Sequence, residues 1–423
     1  LKKRVVITGL GVVAPNGVGV PAFLKAIKEG ESGITFQQKL KDLNFSCQVG
    51  GTPIISEEQK LEYFTALQLR NFHSNGILYG VMAGMEALKD AKISPALKDQ
   101  SPLWNLGIVF GVATSGVEKF REAIYKLDEG NVRRLGSTAV IQTMASGVSA
   151  YLSGMIGAGN WVTTNSAACS TGAESILMGY ERIVSGKASQ MLCGSTGEDG
   201  PYVWGGFDAI KVITYKHNEH PTEASRPMSA TASGFVPGSG AGALLLESLE
   251  SAEKRGATIY AEVLGGSLNS GGQRLDGTMT APNSTAVQKC IEDAMTEAGV
   301  SGNEIDYING HLTATSKDSL EIENWTAALK RKGKDFPYIN SLKGMVGHCL
   351  AASGSIETVS TILQMHHGFV FPNVNCEDLH PEISNLIASE RIPMKEVKTT
   401  LNVAAKASFG FGDVNACVIF RKK

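Results

Sequence analysis

Short apolar runs alternate along the whole chain with stretches whose apolar residues recur at helical spacing. Residues 5–10 (Val-Val-Ile-Thr-Gly-Leu) read as a buried strand, residues 76–91 as a helix, 106–111 and 162–166 as strands, 170–185 as a helix and 191–194 as a short buried strand. The second half repeats the theme. Residues 241–247 and 260–265 read as strands, and 285–298 as an amphipathic helix stopped by Gly299. Residues 305–309 and 338–341 read as short buried strands, and 402–407 with 415–420 as a hairpin around a glycine turn. Strands that alternate with helices predict an α/β sheet protein. No low-complexity linker separates the halves, so the pattern predicts two similar halves sharing one core, although no sequence repeat is visible between them.

Composition narrows this picture. A chain of 423 residues with 43% hydrophobic and 19% charged residues can bury a large core and is poorly suited to disorder. Lysines and arginines number 39 against 41 acids, so no global basic field points to nucleic acid or an anionic membrane surface. The longest apolar runs are of strand length, far short of a membrane span, and the first residues enter a strand with no signal-peptide cleavage pattern. The seven cysteines are odd in number, widely spaced and without a CxxC pair. That argues against a disulfide framework or structural zinc and for a reducing, cytoplasmic setting.

Four segments carry candidate chemistry. In Thr163-Thr164-Asn165-Ser166-Ala167-Ala168-Cys169-Ser170-Thr171-Gly172, a β-branched strand ends in small residues and a helix follows. Cys169 then lies at a helix start, where unpaired N–H groups and the helix dipole favour a thiolate. A buried structural cysteine is the competing reading. In Tyr307-Ile308-Asn309-Gly310-His311-Leu312-Thr313-Ala314-Thr315, an apolar strand ends at a histidine followed by two hydroxyls. Strand ends are where α/β enzymes place chemistry, while a satisfied core histidine is the plainer alternative. Residues 340–350 lead from a strand through a glycine-spaced loop carrying Lys343 and His348 into a helix. In Ser408-Phe409-Gly410-Phe411-Gly412-Asp413, aromatics interleave with glycines, a pattern that brings backbone N–H groups close to a ligand or simply makes a tight turn. Gly9-Leu10-Gly11-Val12-Val13-Ala14 fits a dinucleotide fingerprint, but Pro15-Asn16-Gly17 follows where a helix should start, so the motif lacks its context.

Taken together, these segments resemble the β-ketoacyl-carrier-protein synthases of the elongating type, members of the thiolase-like superfamily. The resemblance runs from Arg4-Val5-Val6-Ile7-Thr8-Gly9 to Asn415-Ala416-Cys417-Val418-Ile419-Phe420 and includes Ser225-Arg226-Pro227 and residues 234–242. It implies a thiolase-like α/β fold, two similar α/β halves packed as a five-layer αβαβα core. The half at 1–250 would carry the nucleophile, and the half at 251–423 the histidines, lysine and gating loop. Cys169 corresponds to the nucleophile that accepts the acyl chain, and His311 and His348 to the pair that hydrogen-bonds the malonyl thioester oxygen. Lys343 corresponds to the family lysine and Glu321 to its carboxylate partner. Thr313 and Thr315 correspond to hydroxyls that contact phosphopantetheine, Phe411 to the gating phenylalanine and Phe207 to a residue of the acyl tunnel. The backbone N–H groups of Cys169 and Phe411 would form the acyl oxyanion hole. No metal and no cofactor are implied beyond the phosphopantetheine of an acyl carrier protein, the expected partner. A homodimer is expected, with a heterodimer as the alternative.

The sequence departs from the family pattern at several places. Leu312 replaces a glycine, and the stretch from there to Asp318 and Glu321 is one residue shorter than usual; together these are expected to reshape the pantetheine channel. Asp413 replaces a glycine of the gating loop. Ala407, preceded by an unusual Lys406, replaces an asparagine, and residues 229–233 replace charged positions. Of the basic residues that would greet an acidic carrier, the stretch 65–70 keeps Arg70, with Lys211 as another candidate. These changes point to a specialised member, in polyene or other secondary lipid synthesis, with ordinary fatty-acid elongation as the alternative. Against an active synthase stand a non-condensing partner subunit of the chain-length-factor kind and a carrier-binding scaffold. The presence of Cys169 with both histidines favours the enzyme.

Overall fold

The strand Val5–Ala14 is buried along its whole length, because helices cover it on both faces; the computed structural model that shows this describes residues 2–423. Its glycines explain the false dinucleotide fingerprint. A β-carbon on Gly9 or Gly11 would overlap the carbonyl oxygens of Ala87 and Ala83 in the helix Asn75–Asp90. The two glycines therefore let a helix lie directly on the strand. The chain then turns at Pro15-Asn16 into the short strand Gly17–Val18, and no phosphate-binding helix follows directly.

Among the described residues one sheet organises the molecule, ten strands in line and an eleventh, Gly17–Val18, paired off the path to Val5–Ala14. From one edge it runs Tyr338–Asn340, Tyr307–Asn309, Val403–Gly410, Val414–Lys422 and Ala261–Ser270, crosses to Val5–Ala14, and continues through Gly240–Ser248, Gln190–Gly197 and Leu106–Val112 to Val162–Thr163. Each set of five has the same spatial order: third, second, fourth, fifth, first in chain sequence. In each, the first two pairings are parallel and the next two antiparallel. The sets join only where Val5–Ile7 pairs with residues 261–263. The predicted hairpin exists and is longer than expected, since residues 408–410 extend its first strand. The predicted strand at 162–166 stops at Thr163, and the chain beyond it is irregular.

Two buried helices, Thr171–Val184 and Ser353–His367, lie between the two sets of strands and against each other, while Asn75–Asp90 and Ser284–Ala298 cover the outer faces. This is the expected αβαβα order. The helix at 284–298 has the start and stop its sequence predicts. Asn283 accepts the Ala286 N–H at 3.1 Å, and Gly299 closes the helix with φ of 64°. Residues 353–365 of the helix Ser353–His367 have no solvent face: Ser355, Glu357, Thr358, Ser360, Thr361 and Gln364 are all buried. Their polar atoms pair internally, as in Ser355 Oγ with Ser195 Oγ at 2.6 Å and Gln364 Nε2 with Tyr307 Oη at 2.9 Å. No helix among the described residues is long and apolar enough to cross a membrane.

The two central helices meet backbone to backbone. A β-carbon on Gly354 would lie 2.7 Å from Ala173 N, and one on Gly172 would lie 2.8 Å from Gly354 C. Each helix is entered by a tight turn, Ala168–Ser170 and Leu350–Ala352, whose first residue takes a left-handed φ of 47° at Ala168 and 53° at Leu350. Gly354→Ala should therefore cost about 1–3 kcal/mol or more through overpacking against immovable backbone, read as a lower urea midpoint at unchanged m-value.

Candidate active site

Cys169 sits in the turn Ala168–Ser170 ahead of the helix Thr171–Val184. Side chains lock this turn. Thr171 Oγ1 donates to Ala168 O at 2.6 Å and accepts from Ala167 N–H at 2.8 Å. Ser170 Oγ reaches Ser408 O at 3.1 Å and Val414 O at 3.0 Å, fastening the turn to the hairpin that carries Phe411. The backbone N–H groups of Phe411 and Cys169 lie near the sulfur and favour its anion, as does Lys343. Burial outweighs them and pushes the thiol up to about 11. The helix start therefore does not yield a resting thiolate, contrary to the expectation from its dipole.

His348 arrives from the other half. Gly347, with φ of 71°, lets its backbone tuck under residues 236–238: His348 N–H donates to Val236 O at 2.7 Å and Gly238 N–H to His348 O at 2.9 Å. Its Nε2 stands 3.2 Å from Cys169 Sγ. Nδ1 accepts the Leu350 N–H at 3.1 Å and faces Ser353 Oγ at 2.9 Å, which places the proton of the neutral ring on Nε2, toward the sulfur. His311, at the end of the strand Tyr307–Asn309, sets its ring edge-on to His348 with centroids 5.4 Å apart. Its Nδ1 has no hydrogen-bond partner within the described residues. Burial, then Lys343 and other nearby positive charge, holds both imidazoles well below their ordinary range, so both are neutral at pH 7. Sγ and one nitrogen of each ring lie within 4.8 Å of one another, a spacing that could hold a metal ion. The proton on His348 Nε2 instead directs that atom to donate.

The supporting groups differ from expectation. Lys343 Nζ donates to His311 O at 2.6 Å, but its carboxylate partner is Glu357, not Glu321. Glu321 instead accepts the N–H groups of His311 and Leu312, both at 2.7 Å, and burial raises its carboxyl to about 7. Leu312 also departs from its predicted place. With φ of 23° it is strained for a branched residue, yet its side chain is fully buried in the core of the second half, away from the channel. Glu321 and Ser341 Oγ, which donates to Leu312 O at 2.8 Å, hold that turn. Asp318 completes the cradle by accepting the N–H groups of Thr313 at 2.9 Å and Ala314 at 3.1 Å.

A cavity of about 450 Å³ opens on Cys169, His311 and His348 and is lined also by Thr313, Thr315, Phe207, Phe411 and Lys211. All the predicted substrate-contacting residues thus share one space. The Phe207 and Phe411 rings are 6.1 Å apart. Arg70 is exposed and lies outside the cavity lining. Asp413 acts as a clasp. Its Oδ1 accepts Asn283 N–H and its Oδ2 Gln273 N–H, each at 2.9 Å, tying the Phe411 turn to the 271–283 loop that forms the opposite wall. Sequence reasoning missed Glu357 and assigned no role to Asp318 or Lys406. Only the odd presence of a lysine inside an apolar strand could have drawn attention to the last.

A mixed α/β double half with a cysteine at one buried helix start and histidines delivered by the other half is the architecture of the thiolase-like condensing enzymes. The chain belongs to the β-ketoacyl synthase family: residues 2–252 match the Beta-ketoacyl synthase, N-terminal domain, and residues 260–377 the Beta-ketoacyl synthase, C-terminal domain. It is 34% identical to a chloroplastic 3-oxoacyl-[acyl-carrier-protein] synthase II of Arabidopsis thaliana, over 99% of this chain and 76% of that one. It is 32% identical to 3-oxoacyl-[acyl-carrier-protein] synthase 1 of Escherichia coli K12, over 99% of both. Among solved structures it resembles a type II PKS acyl-carrier protein–ketosynthase complex bound to the hexaketide, with a TM-score of 0.87, 27% identity and full coverage of both chains. A β-ketoacyl synthase from Burkholderia phymatum gives the same score, identity and coverage.

Two outcomes follow from this geometry. Alkylation of Cys169 by iodoacetamide, followed by peptide mass spectrometry, should quicken about tenfold per pH unit from pH 7 to 9, with no plateau near neutrality. The other cysteines are all buried and should stay silent. Asp413→Gly keeps the turn's backbone conformation but strands the Asn283 and Gln273 N–H groups, and should lose on the order of 1–3 kcal/mol in denaturant unfolding.

Proposed function

We propose that this protein is a β-ketoacyl-carrier-protein synthase that condenses malonyl-carrier protein with an acyl chain held on Cys169. The observation that carries this reading is the 3.2 Å approach of His348 Nε2 to Cys169 Sγ at the floor of a cavity that His311 also faces. Cys169 Sγ attacks the acyl thioester of a carrier. The carrier thiol leaves with the cysteine proton, and the N–H groups of Cys169 and Phe411 hold the oxyanion. Malonyl-carrier then enters with its pantetheine along Thr313 and Thr315. Its carboxylate leaves as CO2, and the bonding electron pair becomes an enolate whose oxygen receives hydrogen bonds from the two neutral imidazoles. The enolate carbon attacks the acyl group and expels the Cys169 thiolate, which takes up a proton. Lys343 and Glu357 hold the His311 backbone, and Glu321 and Asp318 hold the turn after it. The sequence is redox-neutral and uses no cofactor beyond the carriers' phosphopantetheine.

The nucleophile half at 1–250 and the donor half at 251–423 each supply part of this site. Phe411 and Phe207 gate and line the acyl channel, and Lys211 at its mouth, with Arg70 beyond, meets the acidic carrier. We further infer a homodimer working in the cytoplasm. Phe120, Ile124 and Leu127 expose one apolar face of the helix Val117–Asp128, and Val132 and Val140 add to it nearby in sequence, which supports a second copy there.

The test is to assay the two half-reactions separately. Cys169→Ala should abolish condensation. His311→Ala should accept an acyl chain on Cys169 as wild type does, yet release CO2 from malonyl-carrier about 10²–10³-fold more slowly. Unchanged CO2 release would remove His311 from this role.

A further inference from the structure

Lys406 is fully buried in the strand Val403–Gly410, one of the largest side chains hidden in the molecule, and the reaction just described makes no use of it. Its Nζ donates to Ser408 Oγ at 3.0 Å and to the carbonyl of Ala407, and forms an ion pair with Glu357 Oε2 at 2.9 Å. Burial pulls the amine toward its neutral form, but Glu357 Oε2 has no hydrogen-bond donor among the described residues and faces Lys406 as its balancing charge, which favours the ammonium. The other oxygen of Glu357 holds Lys343. One buried carboxylate is thus shared by two buried ammonium groups, and Lys343 passes the arrangement on to the His311 carbonyl.

We propose that Lys406 is a positioning residue for the two imidazoles: it occupies the second oxygen of Glu357, steers Lys343 toward His311, and sets a second positive charge behind both rings so that they remain neutral hydrogen-bond donors in acid. This deepens the synthase reading and rests on it for the meaning of the imidazoles. Both rings feel the charge of Lys343 and of Lys406. The other ionisable groups around them are known. Cys169 lies in front, Glu357 behind the lysines, and Glu321 and Asp318 under the His311 turn. Lys211 and Lys317 stand on the cavity wall. Removing one positive charge from this set favours imidazolium, so protonation of the rings moves to higher pH; a proton on His348 Nδ1 then opposes the Leu350 N–H that this atom accepts and turns the ring from its place.

Two substitutions separate charge from packing. Lys406→Met removes the charge at similar volume and leaves Lys343 balanced by Glu357. The double variant Lys406→Met with Glu357→Gln removes one charge of each sign, so the sum behind the rings returns to that of the wild type. Malonyl-carrier decarboxylation, measured from pH 5.5 to 8, should fall about tenfold at the acid end for Lys406→Met relative to its own rate at pH 8. The wild type and the double variant should show no such limb. A Lys406→Met profile that superimposes on the wild type would overturn the proposal. So would an acid limb in the double variant, which also decides the matter should the single variant fail to fold. NMR titration of the His311 and His348 ring protons in the same proteins reads the effect without any turnover. If the wild type released no CO2, the synthase reading would fail, while the titration would still decide the role of Lys406.

Discussion

The contact between Gly172 and Gly354 is the constraint from which the site follows. Side chains ordinarily keep helix axes 8–10 Å apart. Where neither helix carries a β-carbon, the backbones touch, and the turns that precede them are brought together as well. One turn carries Cys169. The residues leading into the other carry His348. Their 3.2 Å separation is thus a consequence of helix packing at a place where only glycine fits. The left-handed turns at Ala168 and Leu350 occur at matching places ahead of the two glycines, so the same local device is used twice, once to present a thiol and once to follow a histidine. Neither half contains a working set by itself.

Burial then decides the charge state of everything at that junction. It raises the thiol, lowers both imidazoles and raises Glu321 and Asp318, so the three groups nearest the reacting atoms, Cys169, His311 and His348, rest uncharged. Formal charge is kept one layer back, on Lys343, Lys406 and Glu357, where two ammonium groups share one carboxylate. Such a triad carries no charge of its own at rest and offers preorganised donors to an oxyanion that forms only during reaction, which is where low-dielectric hydrogen bonds act most strongly.

Much of this was legible in the chain, for local reasons. A strand that ends in small residues before a helix, or in a histidine before a turn, keeps its meaning in any fold, and so Cys169, His311 and His348 could be marked. The helix Ser353–His367 could not be read for burial, because its serines, threonines, glutamate and glutamine look solvent-facing and pair only with groups distant in sequence. For the same reason Glu357 was invisible, and the carboxylate of Lys343 was misassigned to Glu321. Leu312 looked like a channel residue beside His311, yet its strained backbone turns the side chain into the core. The duplication of strand order left no sequence repeat, because what the halves share is a pattern of burial and glycine contacts that many residue choices satisfy.

The central claim is that Cys169 carries the growing chain between two carrier encounters. Intact-protein mass spectrometry after incubation with an acyl-carrier protein tests it most directly. The expected result is a mass increase equal to one acyl group, located on Cys169, absent in Cys169→Ala, and discharged when malonyl-carrier is added. An unmodified protein, an acyl group on another residue, or an adduct that malonyl-carrier leaves in place would contradict it.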